Sequence, residues 1–513
     1  DSDRAKSAEL ISTLRRSKIE VKQAQSSFST ATAHTYLEKD SRPVSKTFPA
    51  GAYIVDLDQP QRILIKSILE PDTPQDQAFV DDNMARFRRN QMRGKGQQKE
   101  DYGFYDLTAW SLPLAFGVET WWTEDAGNVA SNPVSVQSLA DAGRGSVNGR
   151  AQVAYIIPYD SDASGAMALK LVQKGFRVAV ANRKLNAGGR NWDSGTFVVR
   201  ISRNPDTIHE AISNFAREMG VNVVAVNSGF SDEGDTSIGG EAVNSLQPAK
   251  IAVAIDDGLD IESFGSIWWT FDQYGIEFTP MTIANVRGGG LRDYNVLILP
   301  DGSAGRYMAA FGQGGVARLK EWVSNGGTLI TIRGASVFAA LKDVALTSAK
   351  LVGSEEDDQK GKAAEEKPAP PPTASPSPAR ADKRPTPTPE PVEEPRSERS
   401  PLLDSSLPPI ASPSADANKV PEFLPGSIMR ATVDRTVYLN YGVTQDEIPV
   451  LLASGFFFRY SREGSNALVF DAAPKKPLTV SGFVWEGNTE NLLKGTAYLM
   501  DEKMGQGHVI LFA

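Results

Sequence analysis

Residues 294–334 constrain the fold more than any other stretch. Tyr294-Asn-Val-Leu-Ile-Leu-Pro-Asp-Gly302 is an apolar strand running into a Pro300-Asp301-Gly302 turn. A helix carrying Leu319, Trp322 and Val323 follows and stops at Asn325-Gly326-Gly327, a C-cap signal. A second apolar strand, Thr328-Leu-Ile-Thr-Ile332, reaches a sharp turn at Arg333-Gly334. Strand, helix and strand in this order predict an α/β sheet. The turn after the second strand offers Arg333, Gly334, Ala335 and Ser336. The chain contains no cysteine, so this turn carries no thiolate chemistry.

The same alternation recurs on both sides. From Ala151, strands over 153–157, 177–181, 196–200 and 221–226 alternate with helices over 165–175 and 205–219, the latter with Asn204 as a candidate cap. Residues 250–345 repeat it, with strands at 251–255 and 276–281 flanking a helix over 262–274. The predicted fold class is α/β, with two mainly parallel-sheet domains: residues 1–247, and residues 248–353 completed by 421–513. Between the last two pieces, residues 354–420 hold 15 of the 32 prolines, and no aromatic residue occurs between Phe338 and Phe423. Such a segment buries too little apolar area to offset its ordering entropy and is expected to be a long disordered insertion.

At 513 residues the chain is long enough for more than one domain. No apolar run reaches the ~18 residues of a membrane span. A net charge of −9 and a pI near 5.2 disfavour nonspecific binding to nucleic acid or anionic membrane. The basic run Arg86–Arg93 reads as a solvated helix face followed by a loop. Absence of cysteine excludes disulfides and zinc–cysteine sites and fits export to the periplasm or beyond. The chain starts at Asp1 and ends in His508-Val-Ile-Leu-Phe-Ala513, which reads as an unfinished core strand. The expectation is a piece of a longer polypeptide.

The 294–334 segment resembles the core of the class I glutamine amidotransferase fold, a flavodoxin-like doubly wound sheet whose active members place a cysteine on the turn after the second strand. A wider set of segments resembles the C-terminal region of large bacterial zinc-carboxypeptidase proteins, secreted relatives of carboxypeptidase A. These are Phe48-Pro-Ala-Gly-Ala-Tyr-Ile-Val55, Gln59-Pro60 with Leu69-Glu70-Pro71, and Tyr105-Asp-Leu-Thr-Ala-Trp-Ser-Leu-Pro-Leu114. Further on come 294–302, 319–330, Leu424-Pro-Gly-Ser-Ile-Met-Arg430, Ser481-Gly-Phe483 and Met504-Gly-Gln-Gly-His-Val-Ile510. The family's peptidase holds zinc through a His-x-x-Glu pair and a later histidine. Here the three histidines are His34, His209 and His508, and none has glutamate three positions on. The resemblance therefore implies no cofactor in this chain, with zinc confined to a peptidase domain upstream. It also implies that domain as the partner, together with peptide or cell-wall substrate, and neither nucleic acid nor a membrane span.

Ser336 is the candidate substitute nucleophile, since it follows the turn where the fold places its cysteine. It needs a general base, and the one histidine in its domain is His508, on a strand. Its surroundings are not Gly-x-Ser-x-Gly. The competing reading is an N-cap ahead of Val337–Leu341. Asp256 and Asp257 follow one strand, Asp301 another and Arg333 a third. Ligands of open α/β sheets bind beyond the carboxyl ends of strands, so these four could form one polar ligand or cation site. The competing reading is turn-forming aspartates and a helix cap. Gly288-Gly289-Gly290 lacks a phosphate-loop ending and reads as a connector. Trp268-Trp269 read as core and cleft wall. Trp110 with Trp121-Trp122 reads as a cluster or as a seam against the upstream domain. The expected function is an accessory, non-catalytic region of an exported metallocarboxypeptidase-like protein. The alternative is a hydrolase using Ser336 or the Asp256/Asp257/Asp301 cleft.

Overall fold

The computed structural model describes residues 4–38, 41–93, 97–125, 127–231, 236–354 and 420–513. The disorder expected over 354–420 falls outside this set, apart from Ser354 and Val420. Near the start of the chain, four short strands pair as an antiparallel ribbon. Lys22–Ala24 and Phe28–Thr35 pair with Tyr53–Ile54 and Val44–Phe48, and the registers Lys22↔Ile54 and Phe28↔Phe48 belong to one continuous alignment. Ser131–Pro133 and Trp121–Thr123 extend the other edge. Helix Arg4–Arg16 seals its proximal end with Ile11 and Leu14, which pack with Val21, Ile65 and Val134.

The sheet within residues 147–245 is antiparallel, which corrects the expectation of a mainly parallel one. Its order is Val243–Ser245, Ala179–Ala181, Phe197–Arg200, Ala154–Ile157, Val223–Val226, Val147–Asn148. Every neighbouring pair is antiparallel except the last. Helix Asp162–Gln173 joins Ala154–Ile157 to a strand two places away, and helix Ile208–Met219 does the same from Phe197–Arg200. Each helical crossover does link parallel strands. The two crossovers interleave, so each parallel pair has an antiparallel strand between its members. This β-α-β-β-α-β arrangement is a split βαβ, ferredoxin-like unit. Both helices lie on one face, where Met167, Leu171, Ile212 and Ala216 cover Tyr155, Ile157 and Val199. Alternation along a sequence reports crossovers; it does not report which strands become neighbours.

The second sheet has eleven strands. Nine form its main path: β1 (Ile251–Ala254), β2 (Thr279–Met281), β3 (Val296–Leu299), β4 (Thr328–Ile332), β5 (Ser427–Val433), β6 (Glu447–Leu452), β7 (Ser465–Phe470), β8 (Thr496–Met504) and β9 (Gly507–Phe512). The order is β2-β1-β3-β4-β9-β8-β7-β5-β6. The first five are mutually parallel and the rest antiparallel, so this sheet too is mixed. Helix α1 (Ile261–Tyr274) leads from β1 towards one edge, and α3 (Ala304–Ser324) from β3 towards the other. Right-handed crossovers in opposite directions place helices on opposite faces. Accordingly Phe264 of α1 covers Ile251, Val253 and Ile298. Tyr307, Phe311, Leu319 and Val323 of α3 cover Leu297, Leu299, Leu329, Val509 and Leu511 on the far face. A parallel sheet buried on both sides needs such continuously apolar strands.

Local chemistry fixes the ends of these helices. Asp260 caps α1 by accepting the Ser263 N–H at 2.7 Å, and Gly275 ends it at φ 61°. Helix α2 (Ile283–Arg287) is capped by Thr282. After α3, Gly327 leaves no room for a side chain, because a Cβ there would sit 2.6 Å from the Trp322 ring. At the antiparallel end, helix Gln77–Met92 lays Met84 and Phe87 on the core, and Phe87 stacks on Trp485 at 5.0 Å. Its basic residues turn outward to Asp82 and Glu100. Among the described residues no helix is long and apolar enough to cross a membrane.

Candidate functional site

The carboxyl ends of β1, β3 and β4 bring their loops together at one edge of the parallel sheet. The centre of this cluster is Arg333. It follows β4 directly and opens α4 (Gly334–Ala340) with φ 48° and ψ −108°. A side chain at positive φ between a strand and a helix is the strained turn that lifts a nucleophile above an α/β sheet. Here that position carries a guanidinium. The next residue must be glycine, because a Cβ on Gly334 would lie 1.9 Å from the Gly302 carbonyl oxygen.

Asp301 holds the turn from the β3 loop. Its Oδ1 accepts the N–H of Gly302 at 2.8 Å and of Gly334 at 2.9 Å. Its Oδ2 pairs with Arg333 Nη1 at 2.9 Å. Arg333 Nη2 donates to the Ala453 carbonyl, and its backbone N–H donates to the Phe512 carbonyl at 2.9 Å. Arg333 Nε is buried without a partner. The side chains of Arg333 and Asp301 are 35% and 14% exposed, so the pair is half-withdrawn from water. Arg333 thus ties the parallel half of the sheet to the loop after β6. Tyr498 stands close by, donating to the Leu451 carbonyl at 3.1 Å. Burial raises its phenol pKa, and the positive charge of Arg333 opposes that rise.

Ser336 does not occupy the turn. It is fully buried on the first turn of α4. Its Oγ donates to the Phe512 carbonyl at 2.7 Å and lies 3.1 Å from the Thr331 carbonyl oxygen and 2.9 Å from Thr331 Oγ1. It therefore fastens α4 to β4 and β9, and it is not the N-cap expected from sequence; Arg333 holds that place. His508 pairs with Thr328 at the opposite end of β4, about 13 Å along the strand. Its Nδ1 is bonded to Asp501 at 2.9 Å, and Asp501 also accepts from Tyr438 at 3.1 Å. Ser336 thus has neither exposure nor a nearby imidazole.

The carboxylates of Asp256 and Asp301 are engaged by the chain itself. Asp256 Oδ1 accepts the Asp257 N–H at 2.9 Å, and Oδ2 accepts the Ile283 N–H, at the start of α2, at 3.1 Å. Asp257 is exposed. The crevice between the β1 and β3 loops is spanned by an antiparallel bridge, Leu259↔Gly302. Asp260 N–H donates to the Asp301 carbonyl at 3.0 Å, and Asp301 N–H donates to Ser263 Oγ at 3.0 Å. The Arg306 guanidinium lies over Gly258. A switch point of this kind is where open α/β sheets admit ligands; here the Leu259↔Gly302 bridge and the Arg306 side chain lie at it. Among the described residues no group of three or more His, Asp or Glu is arranged to hold a metal ion.

Two sequence readings change in detail. Trp268 and Trp269, expected as core and cleft wall, are 47% and 59% exposed. Trp122 is part-exposed and stacked on His34 with ring centroids 3.9 Å apart, while Trp121 lies beneath the Lys46 ammonium at 4.1 Å. Gly289, at φ 95°, enters a single 3-10 turn and leads to no helix start, as a connector would. The sequence placed the sharp turn at Arg333-Gly334 but did not reveal that Arg333 itself takes the strained conformation. Its signal was present: a charged residue and then glycine directly after a strand that reads Thr-Leu-Ile-Thr-Ile.

No family model matches the chain, and no curated protein matches it. Among solved structures it is similar to the β-galactosidase from Bacillus circulans sp. alkalophilus. That likeness has 13% identity and a TM-score of 0.25, over 52% of this chain and 28% of that one. Gan42B, a GH42 β-galactosidase, is similar at 12% identity and a TM-score of 0.20, over 53% of this chain and 28% of that one. The match spans under a third of either enzyme, and at these scores nothing of their activity transfers to this chain.

Proposed function

We propose that the chain is an accessory, non-catalytic region of an exported zinc-carboxypeptidase-like protein, and that it supports the peptidase or holds peptide or cell-wall substrate for it. The parallel strand order β2-β1-β3-β4-β9 supports a flavodoxin-like, amidotransferase-like reading of this sheet. The observation that carries the reading is Arg333: the strained turn is kept, but its occupant is a cation locked to Asp301 and Ala453. A guanidinium cannot serve as a nucleophile, and its two terminal nitrogens are already engaged. The burial of Ser336 favours the same conclusion over a serine hydrolase.

The test is calorimetric titration of the purified chain with a bacterial zinc-carboxypeptidase domain, and separately with peptides and peptidoglycan fragments. Saturable heat with any one of them is the expected result. Absence of heat with all of them, together with peptide or ester hydrolysis that disappears in Ser336→Ala or Asp257→Ala, would replace the accessory role with the hydrolase.

A further inference from the structure

The chain contains two Asn-Gly pairs, Asn148-Gly149 and Asn325-Gly326, and the fold holds them differently. Glycine after asparagine matters chemically, because no side chain keeps the glycine nitrogen from the asparagine side-chain carbonyl carbon. Both asparagines are exposed, so access does not separate them. The difference lies in how firmly the glycine N–H is held. Asn325-Gly326 closes α3. Gly326 N–H donates to the Val323 carbonyl at 2.9 Å and Gly327 N–H to the Trp322 carbonyl at 3.1 Å, the paired bonds of a Schellman cap with Gly326 at φ 112°. The turn between β8 and β9 clamps this cap. Gln506 N–H donates to the Ser324 carbonyl at 2.9 Å, and His508 N–H donates to the Gly327 carbonyl at 3.2 Å.

Asn148-Gly149 has no such clamp. Strand Val147–Asn148 is two residues long and lies at the edge of its sheet, paired with Val223–Val226 alone. Gly149 N–H donates to the Val147 carbonyl at 3.1 Å, a bond confined to one three-residue turn centred on Asn148. Gly149, at φ 82°, and Arg150 after it are exposed. A short edge strand of this kind opens at little free-energy cost. We propose that Asn148 is a site of spontaneous deamidation and isoaspartate formation, and that the fold protects Asn325; this stands apart from the accessory role above. The Gly149 nitrogen gives up its proton and attacks Asn148 Cγ. The bond from Cγ to the side-chain nitrogen breaks and ammonia leaves, which closes a five-membered imide. Water then opens the ring at either carbonyl, giving aspartate or isoaspartate. The pairs Asp257-Gly258 and Asp301-Gly302 are slower sites, because an ionised carboxylate is a poor electrophile and that of Asp301 is held by two N–H groups.

The modification has a structural consequence. Isoaspartate places an extra carbon in the main chain, so the parallel register Val223↔Val147, Val224↔Asn148 cannot be kept. Val147, which packs with Ala216, Val221 and Val223, is drawn off the core. Val223–Val226 then becomes the bare edge of its sheet.

Peptide mapping by mass spectrometry of the full chain, stored folded at mildly alkaline pH, tests the assignment. The Asn148 peptide should convert with time into two products, aspartate and isoaspartate, each with a carboxyl in place of the amide. Conversion at Asn325 should be slower by about tenfold or more, since ring closure there needs the cap to open first. In the urea-unfolded chain the two sites should convert at rates within about twofold of each other, because the same dipeptide is then equally free. Asn148→Gln should abolish the change at that position, as the larger ring closes slowly. Amide hydrogen exchange over Val223–Val226 should quicken in the aged chain and stay at the fresh wild-type rate in Asn148→Asp, which carries the charge without the extra carbon. Comparable rates at Asn148 and Asn325 in the folded chain overturn the assignment, and so does an Asn148 that persists in the folded chain while converting in urea. Unchanged exchange in an aged, converted chain overturns the unpairing of the strand.

Discussion

The strain at residue 333 can be isolated by comparing two substitutions. Arg333→Ala and Arg333→Gly lose the same interactions: the pair with Asp301 and the bond to the Ala453 carbonyl. With the side chain 35% exposed, that common loss is about 1–2 kcal/mol after solvent screening. Alanine keeps a Cβ at φ 48°, ψ −108°, whereas glycine relieves it. Relief of such a conformation is worth about 1–3 kcal/mol. Glycine gives back about 0.5–1 kcal/mol through the greater freedom of the unfolded chain. Arg333→Gly should therefore be the more stable of the two by about 1 kcal/mol, the reverse of the usual order. Equilibrium urea unfolding, followed by tryptophan fluorescence, reads the difference. With a slope of about 2–3 kcal/mol/M, the glycine midpoint should lie about 0.3–0.5 M higher at equal slope. An alanine variant as stable as the glycine variant, or more so, would mean that the turn is not strained, and the link between Arg333 and a nucleophile position would fail.

Other outcomes follow from the same geometry. Ser336→Ala should lower stability by about 1–3 kcal/mol, because it strips a buried donor from the Phe512 carbonyl, while leaving any background peptide or ester hydrolysis unchanged. Gly334→Ala should cost about 3 kcal/mol or more, since its Cβ would overlap the Gly302 oxygen; a fully folded variant with wild-type urea midpoint would contradict the tight turn. Burial raises the pKa of Tyr36, Tyr53, Tyr102, Tyr159, Tyr307, Tyr438, Tyr460 and Tyr498, with Tyr102 pushed up to about 12. The folded state then holds phenolic protons that the unfolded chain releases near pH 10, so stability is complete below that pH and falls as pH rises above it. Absorbance at 295 nm should show these phenols titrating together with unfolding; eight tyrosines titrating near pH 10 in a folded chain would refute the burial.

How much was legible in the sequence depended on range. The β3–α3–β4 unit could be read from residues 294–334 because each signal is local: apolar runs for the strands, Asn325-Gly326-Gly327 for the stop, Arg333-Gly334 for the turn. Parallel neighbours were not legible for residues 147–245, since interleaving depends on where a crossover lands and not on what it contains. The candidate residues Asp256, Asp257, Asp301 and Arg333 could be placed on loops beyond strand ends. Their partners could not, because Asp256 and Asp301 are engaged by backbone N–H groups, and those carry no sequence signature. Ser336 was misjudged for a related reason: the carbonyl it serves belongs to Phe512, far along the chain. The exposure of Trp268 and Trp269 was not legible, because apolar residues at helical spacing do not say which face of a helix is covered.

The position of β9 bears on how the chain reaches this state. Thr328 pairs with His508, so the join between the parallel and antiparallel halves closes a loop of about 180 residues. Until β9 arrives, β4 is a bare apolar strand edge, with Leu329 and Ile330 available to another chain. Contacts this distant in sequence are slow to form. The turn at Arg333 also depends on β9, since the Phe512 carbonyl receives both the Arg333 N–H and the Ser336 hydroxyl. The local unit that is easiest to recognise in the sequence is thus among the last to become rigid, and in the meantime its open edge is where misassembly between chains would begin.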